Sequence, residues 1–101
     1  MDRFALLALL RAKAGKEKEV EDFLKSAQPL AVAEPATNTW YAVKFGEGRF
    51  GIFDTFANEA GRNAHLGGPI AKALMARADE LLAEPPQIES LDILAAKAPG
   101  A

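Results

Sequence analysis

The run FALLALL, Phe4 to Leu10, has an apolar side chain at every position. In an extended strand Phe4, Leu6, Ala8 and Leu10 point one way and Ala5, Leu7 and Leu9 the other, so both faces need cover. Ala and Leu also favour a helix. The Gly15 break and the charged KEKE after it favour a strand over about Arg3 to Lys13, followed by a separate element. A chain of 101 residues makes one domain, 1–101, and one layer of helices covers only one face of a sheet. A strand apolar on both faces therefore implies a second covering layer.

From Lys16 the spacing becomes helical: Val20, Phe23, Leu24 and Ala27 share a face, with Asp22 on the wet side. Pro29 interrupts this helix or starts a second short one, and Pro35 ends it. NTWYAVKF and RFGIFDTF then read as strands joined at GEG. A two-residue Glu47-Gly48 turn sets Phe45 opposite Phe50, Val43 opposite Ile52 and Tyr41 opposite Asp54, with Trp40 opposite Thr55. Asn58 reads as the N-cap of another helix, with Ala57 as a one-residue alternative start. Gly67-Gly68 breaks that helix, and Pro69 suits the first turn of a continuation carrying Ile70, Leu74, Ala78, Leu81 and Leu82. Glu84-Pro85-Pro86 stops it, IESLDILAAK reads as a final strand, and residues 97–101 as a frayed end.

The order strand, helix, strand, strand, helix, strand is that of an α+β ferredoxin-like βαββαβ plait, a four-stranded antiparallel sheet with helices on one face. The uncovered face is apolar in three of the four strands, an interaction surface whose most economical cover is a second copy. The expected assembly is a homodimer closing sheet against sheet.

Composition narrows the chemistry. A formal net charge of −2 gives no electrostatic reason to expect nucleic acid or an anionic membrane as partner. With no cysteine and one histidine, His65, thiolate sites are excluded and a dedicated metal site is not expected. Gly46-Glu47-Gly48 sits in a hairpin rather than before a helix, so no phosphate-binding loop supports a nucleotide cofactor. FALLALL is too short to span a bilayer, and Asp2, Arg11 and Lys13 around it do not suit a signal peptide. The expected location is cytoplasmic, and the expected cofactor set is empty.

The stretch FGIFDTFANEAGRNAHLGGP resembles the antibiotic biosynthesis monooxygenase family of small dimeric α+β barrels. A strand ending in acid–any–aromatic leads through a turn into a helix with Ala-His, then small residues and Pro. Asp54 and Phe56 stand where the family commonly has Glu and Trp or another aromatic, and His65 falls where members often carry histidine. The resemblance implies a cofactor-independent monooxygenase that oxidises a small phenolic, quinol or polyketide-type aromatic with O2. His65, neutral near pH 7, is then the base, with Asp54 holding its tautomer and Arg62 stabilising an oxyanion. Trp40, Phe53 and Phe56 become pocket walls. The haem-degrading subgroup of this fold needs an Asn–Trp–His set, and its tryptophan and histidine are missing near His65 and Met75.

Each residue also has a structural reading: His65 as a hydrogen-bonded helix residue, Asp54 as a cap of the following turn, Trp40 as core or interface, Arg62 as a solvated charge. The alternative function on that basis is a non-enzymatic dimeric barrel binding a small hydrophobic ligand. GRFGIF also resembles the central motif of RNA-recognition domains, but its face reads Phe50, Ile52, Asp54, one ring and an anion, a poor stacking surface.

Overall fold

The computed structural model describes residues 2–99. The chain runs β1 (Phe4–Arg11), α1 (Glu17–Val32), β2 (Thr37–Gly46), β3 (Arg49–Phe56), α2 (Glu59–Leu66), α3 (Pro69–Leu81) and β4 (Gln87–Asp92). The strands form one sheet in the order β2-β3-β1-β4, and every neighbouring pair is antiparallel. This is the ferredoxin-like plait, with the second helix split in two.

Strand period decides which residues meet the helices. Leu6, Ala8 and Leu10 of β1 pair with Asp54, Ile52 and Phe50 of β3 and face the helix layer. There they are buried with Val20, Phe23 and Leu24 of α1 and Leu74, Ala78 and Leu81 of α3. The face considered for RNA stacking is therefore inside the protein. Leu7 pairs with Phe53 and Leu9 with Gly51 on the opposite, helix-free face. Tyr41 and Val43 join them there and are exposed.

Four expectations are corrected. First, β1 ends at Arg11; Ala12 and Lys13 instead donate to the carbonyls of Gly48 and Leu81 at 2.9 and 2.8 Å. Second, α1 runs unbroken through Pro29, and the Ala33 amide returns to the Pro29 carbonyl at 3.1 Å. A missing donor in the last turn of a well-packed helix is tolerated. Third, the hairpin register differs by one residue. A tight mirror-image turn needs positive φ at both positions, and only Gly48 adopts it, at 76°. Phe45 is left unpaired between Lys44↔Phe50 and Gly46↔Arg49. Trp40 consequently lies opposite Asp54, on the helix side, instead of opposite Thr55. Phe45 folds over Gly51, where a Cβ would stand 2.9 Å from its ring, so that position accepts no larger residue without displacing Phe45. Fourth, β4 ends at Asp92, because its partner β1 begins at Phe4 and offers only the Arg3 carbonyl beyond it. Of the expected frayed end, Lys97, Ala98 and Pro99 are exposed, and 100–101 lie outside the described residues.

The helix-free face carries Leu7, Leu9, Tyr41, Val43, Phe53 and the ring of Phe45. We propose that a second copy covers it. Sedimentation at micromolar concentration is expected to give a dimer, and Leu7→Lys a monomer that is still folded; a stable wild-type monomer would leave this face unexplained.

Candidate active site

The site forms where β3, α2 and the connector between α1 and β2 meet. Asp54 is the last core-facing polar residue of β3 and is 1% exposed. α2 begins two residues beyond β3, at Asn58, whose side chain accepts the Gly61 amide at 2.8 Å. This cap, and Gly67 and Gly68 at the other end, hold α2 to eight residues, with His65 in its last turn facing the sheet. The imidazole is 8% exposed.

Both ring nitrogens are engaged. Nε2 donates to Asp54 Oδ2 at 2.8 Å and Nδ1 to Glu34 Oε1 at 2.7 Å. Glu34 lies in the α1–β2 connector, and the Thr37 hydroxyl donates to the same oxygen at 3.2 Å. Burial disfavours the charged ring, but the hydrogen bonds and charges of Asp54 and Glu34 outweigh it and raise the pKa from 6.5 to about 9. His65 is therefore an imidazolium at neutral pH. It is not the neutral base the sequence led us to expect, since no nitrogen carries a free lone pair. The carboxylates sit on opposite sides of the ring, so the three groups do not converge on one point as metal ligands must.

Beside the ring is a cavity of about 110 Å³ between α3, the end of α2 and the sheet. Its walls are aliphatic: Leu6, Ala8 and Ile52 beneath, Ile70, Leu74 and Met75 above, with Leu66 and Ile88 toward the rim. Asp54 and His65 supply the polar corner. Asp54 Oδ1 is buried and has no hydrogen-bond partner among the described residues. An ionised oxygen in that position, against an apolar cavity, is costly unless a donor reaches it.

The other expected site residues are placed differently. Phe56 is fully buried and packs on the His65 ring, centroids 5.4 Å apart, outside the cavity lining. Trp40 shares the helix-side face and packs on Ala27, Ala31 and Ile70, also outside the lining. Phe53 is on the opposite face of the sheet. Arg62 lies over the Phe4 ring at 5.1 Å and donates to the Leu91 carbonyl at 3.3 Å, away from the cavity. Sequence reasoning thus brought Asp54 and His65 together, and missed Glu34 and the aliphatic walls. The cavity-lining Ile70 and Leu74 were legible as a helix face. Glu34 had no signal, being one carboxylate in the loop sequence AEPAT.

His65 is the sole histidine, so its ring signals in a proton NMR titration need no assignment. The midpoint is expected near 9. A folded-state value above the unfolded one stabilises the fold below about pH 6.5, and this contribution is lost as pH rises through about 9. Chemical denaturation between pH 6 and 10 should show that decline, and a midpoint near the unfolded value would contradict the double ion pair.

No protein-family model and no curated protein matches the chain. Solved structures do. A protein of unknown function from Nitrosomonas europaea is 55% identical over 100% of this chain and 98% of its own, with a TM-score of 0.96. A "putative antibiotic biosynthesis monooxygenase" from Caulobacter crescentus is 25% identical over 93% of this chain and 92% of its own, TM-score 0.75. Another so named, from Nitrosomonas europaea, is 13% identical over 91% and 99%, TM-score 0.80, and shows likeness of fold alone. The chain belongs to the family of the 55% identical Nitrosomonas europaea protein, and shares its ferredoxin-like fold with structures named "putative antibiotic biosynthesis monooxygenase".

Proposed function

We propose that the domain binds a single-ring hydroxyarene in the His65 cavity and oxidises it with O2, as a cofactor-independent monooxygenase. The observation that carries this reading is Asp54 Oδ1, a buried acceptor without a donor at the one polar corner of an aliphatic cavity. A phenolic hydroxyl supplies the missing donor while its ring replaces contact with water by contact with Leu6, Ile52, Ile70 and Leu74. The 25% identical Caulobacter crescentus structure, named a "putative antibiotic biosynthesis monooxygenase", supports the reaction class.

Size limits the ligand. A dry cavity of about 150 Å³ holds benzene, so a space of about 110 Å³ takes at most one ring, with its substituents reaching past the rim. Met75 at the wall is 58% exposed and unbranched, which lets a ring substituent project past it. A fused polyketide-type aromatic exceeds this space.

The chemistry requires proton removal, positioning and dryness. Asp54 Oδ1 takes the hydroxyl proton, and the resulting phenolate is electron-rich enough to pass an electron to O2. The ring and oxygen radicals combine into a peroxide at a ring carbon bearing hydrogen. O–O cleavage with loss of that hydrogen leaves a carbonyl and water. One oxygen atom stays in the product, the other leaves as water, and the ring supplies all four electrons. The aliphatic walls keep bulk water from protonating the intermediate.

Oxygen uptake with a phenol or hydroquinone is expected, with one atom of labelled O2 retained in the quinone product. Asp54→Asn should lower kcat by roughly 10²–10⁴-fold, the range for losing a general base. Engagement of both His65 nitrogens favours a second reading, a binding-only barrel. Saturable phenol binding with no oxygen uptake above the buffer rate would select it.

A further inference from the structure

Resting on that reading of the site, we infer that Glu34 is its positioning residue: from the α1–β2 connector it anchors the Nδ1 side of His65, so that Nε2 is committed to Asp54 Oδ2 and Oδ1 is left as the uncommitted oxygen of Asp54. Glu34 is not itself part of the cavity lining, and acts through the ring.

The local structure is built around this contact. Glu34 Oε1 receives two donors, His65 Nδ1 at 2.7 Å and the Thr37 hydroxyl at 3.2 Å. The connector is drawn close to α2 because Gly61 has no side chain. A Cβ there would stand 3.2 Å from the Ala36 carbonyl and 3.3 Å from the Ala36 methyl. A Cβ at Gly68 would stand 3.8 Å from Glu34 Oε1, in ordinary contact. Gly61 thus lets the connector that carries Glu34 lie close against α2.

The charges that face His65 are few. β3 contributes Asp54, the connector Glu34, and β2 the neutral Thr37 hydroxyl. β1, β4 and α3 contribute only aliphatic cavity walls. On α2 itself, Glu59 and Arg62 pair with each other at 4.0 Å. Two carboxylates against one imidazolium leave one net negative charge on the set. When the ligand proton moves to Asp54 Oδ1 the negative charge passes to the phenolate, beside the imidazolium that Glu34 and Asp54 hold in place. Glu34 thus acts on the step by fixing the ring that orients Asp54.

Glu34→Gln keeps an oxygen that accepts from Nδ1 and removes the charge. The His65 NMR midpoint is expected to fall by roughly one pH unit or more, the scale of losing an adjacent opposite charge. Oxidation of a hydroquinone should lose kcat by about tenfold or more with KM little changed, because a positioning residue serves the proton-transfer step, and its pH profile should move. Glu34→Asp, restoring the charge, should recover part of both. A midpoint still near 9 together with an unmoved pH profile would overturn the inference. If Asp54→Asn is itself without kinetic effect, the proposed reaction fails, while the His65 midpoint in Glu34→Gln still judges the role of Glu34. If Glu34→Gln does not fold, Thr37→Val, which removes only the second donor to Glu34, is read instead. It should lower the same midpoint by less, and no change would count against the inference.

Discussion

One imidazolium between two carboxylates ties together three parts of the chain that nothing else joins so closely. Asp54 lies near the end of β3, His65 in the last turn of α2, and Glu34 in the loop after α1. Two ionised groups in this position would repel each other across the width of a ring, and a lone buried imidazolium would be driven to lose its proton. Together each corrects the other's cost. Removing one member of such a set strands the remaining charges, so it specifies the arrangement more than it adds net stability. Its position at the edge of the aliphatic core also explains why the adjoining cavity has a polar corner at all.

The sheet's two faces divide the labour. Period two sends Leu6, Ala8 and Leu10 to the helices and Leu7 and Leu9 away from them, and β3 follows the same alternation in register. Asp54 therefore arrives on the helix side as a consequence of pattern alone. Had β3 slipped by one residue, Phe53 would occupy that corner and Asp54 would face the open side of the sheet. The bulge at Phe45 shows that β2 can shift against β3 without disturbing the β1–β3 pairing, because β2 is an edge strand.

What was legible in the sequence follows from this. Element order, the Asn58 cap, the Gly67-Gly68 break and the core faces of α1 and α3 each rest on local spacing or local backbone chemistry, and the structure has all of them. The Asp54–His65 contact was legible as a short-range possibility, eleven positions apart across one turn. Three things were not. The hairpin register depends on whether Glu47 takes a left-handed conformation, a balance of small energies, and it moved Trp40 to the other face. The continuity of α1 through Pro29 depends on tertiary packing outweighing one missing donor. Glu34 depends on where a loop comes to rest, which no periodicity reports. The same loop contact reversed the protonation state assigned to His65, since a ring with one carboxylate neighbour and a ring with two differ in whether a lone pair remains.

The break at Gly67-Gly68 makes the cavity. In one continuous helix, at 3.6 residues per turn, Ile70 would lie about 140° around the axis from His65. The ring and the apolar wall would then face different neighbours. Ending α2 at Leu66 and restarting at Pro69 resets the phase, so that His65, Ile70 and Leu74 all line one space. Gly68 permits the tight return: its amide bonds the His65 carbonyl at 3.0 Å, and a Cβ there would stand 3.3 Å from both that oxygen and the Ala64 carbonyl. Pro69 then supplies a fixed φ at the first turn of α3 without forfeiting a helix hydrogen bond. A feature that reads in sequence as a simple helix stop thus converts a charged residue and an aliphatic stripe, out of phase on one helix, into two walls of a single cavity.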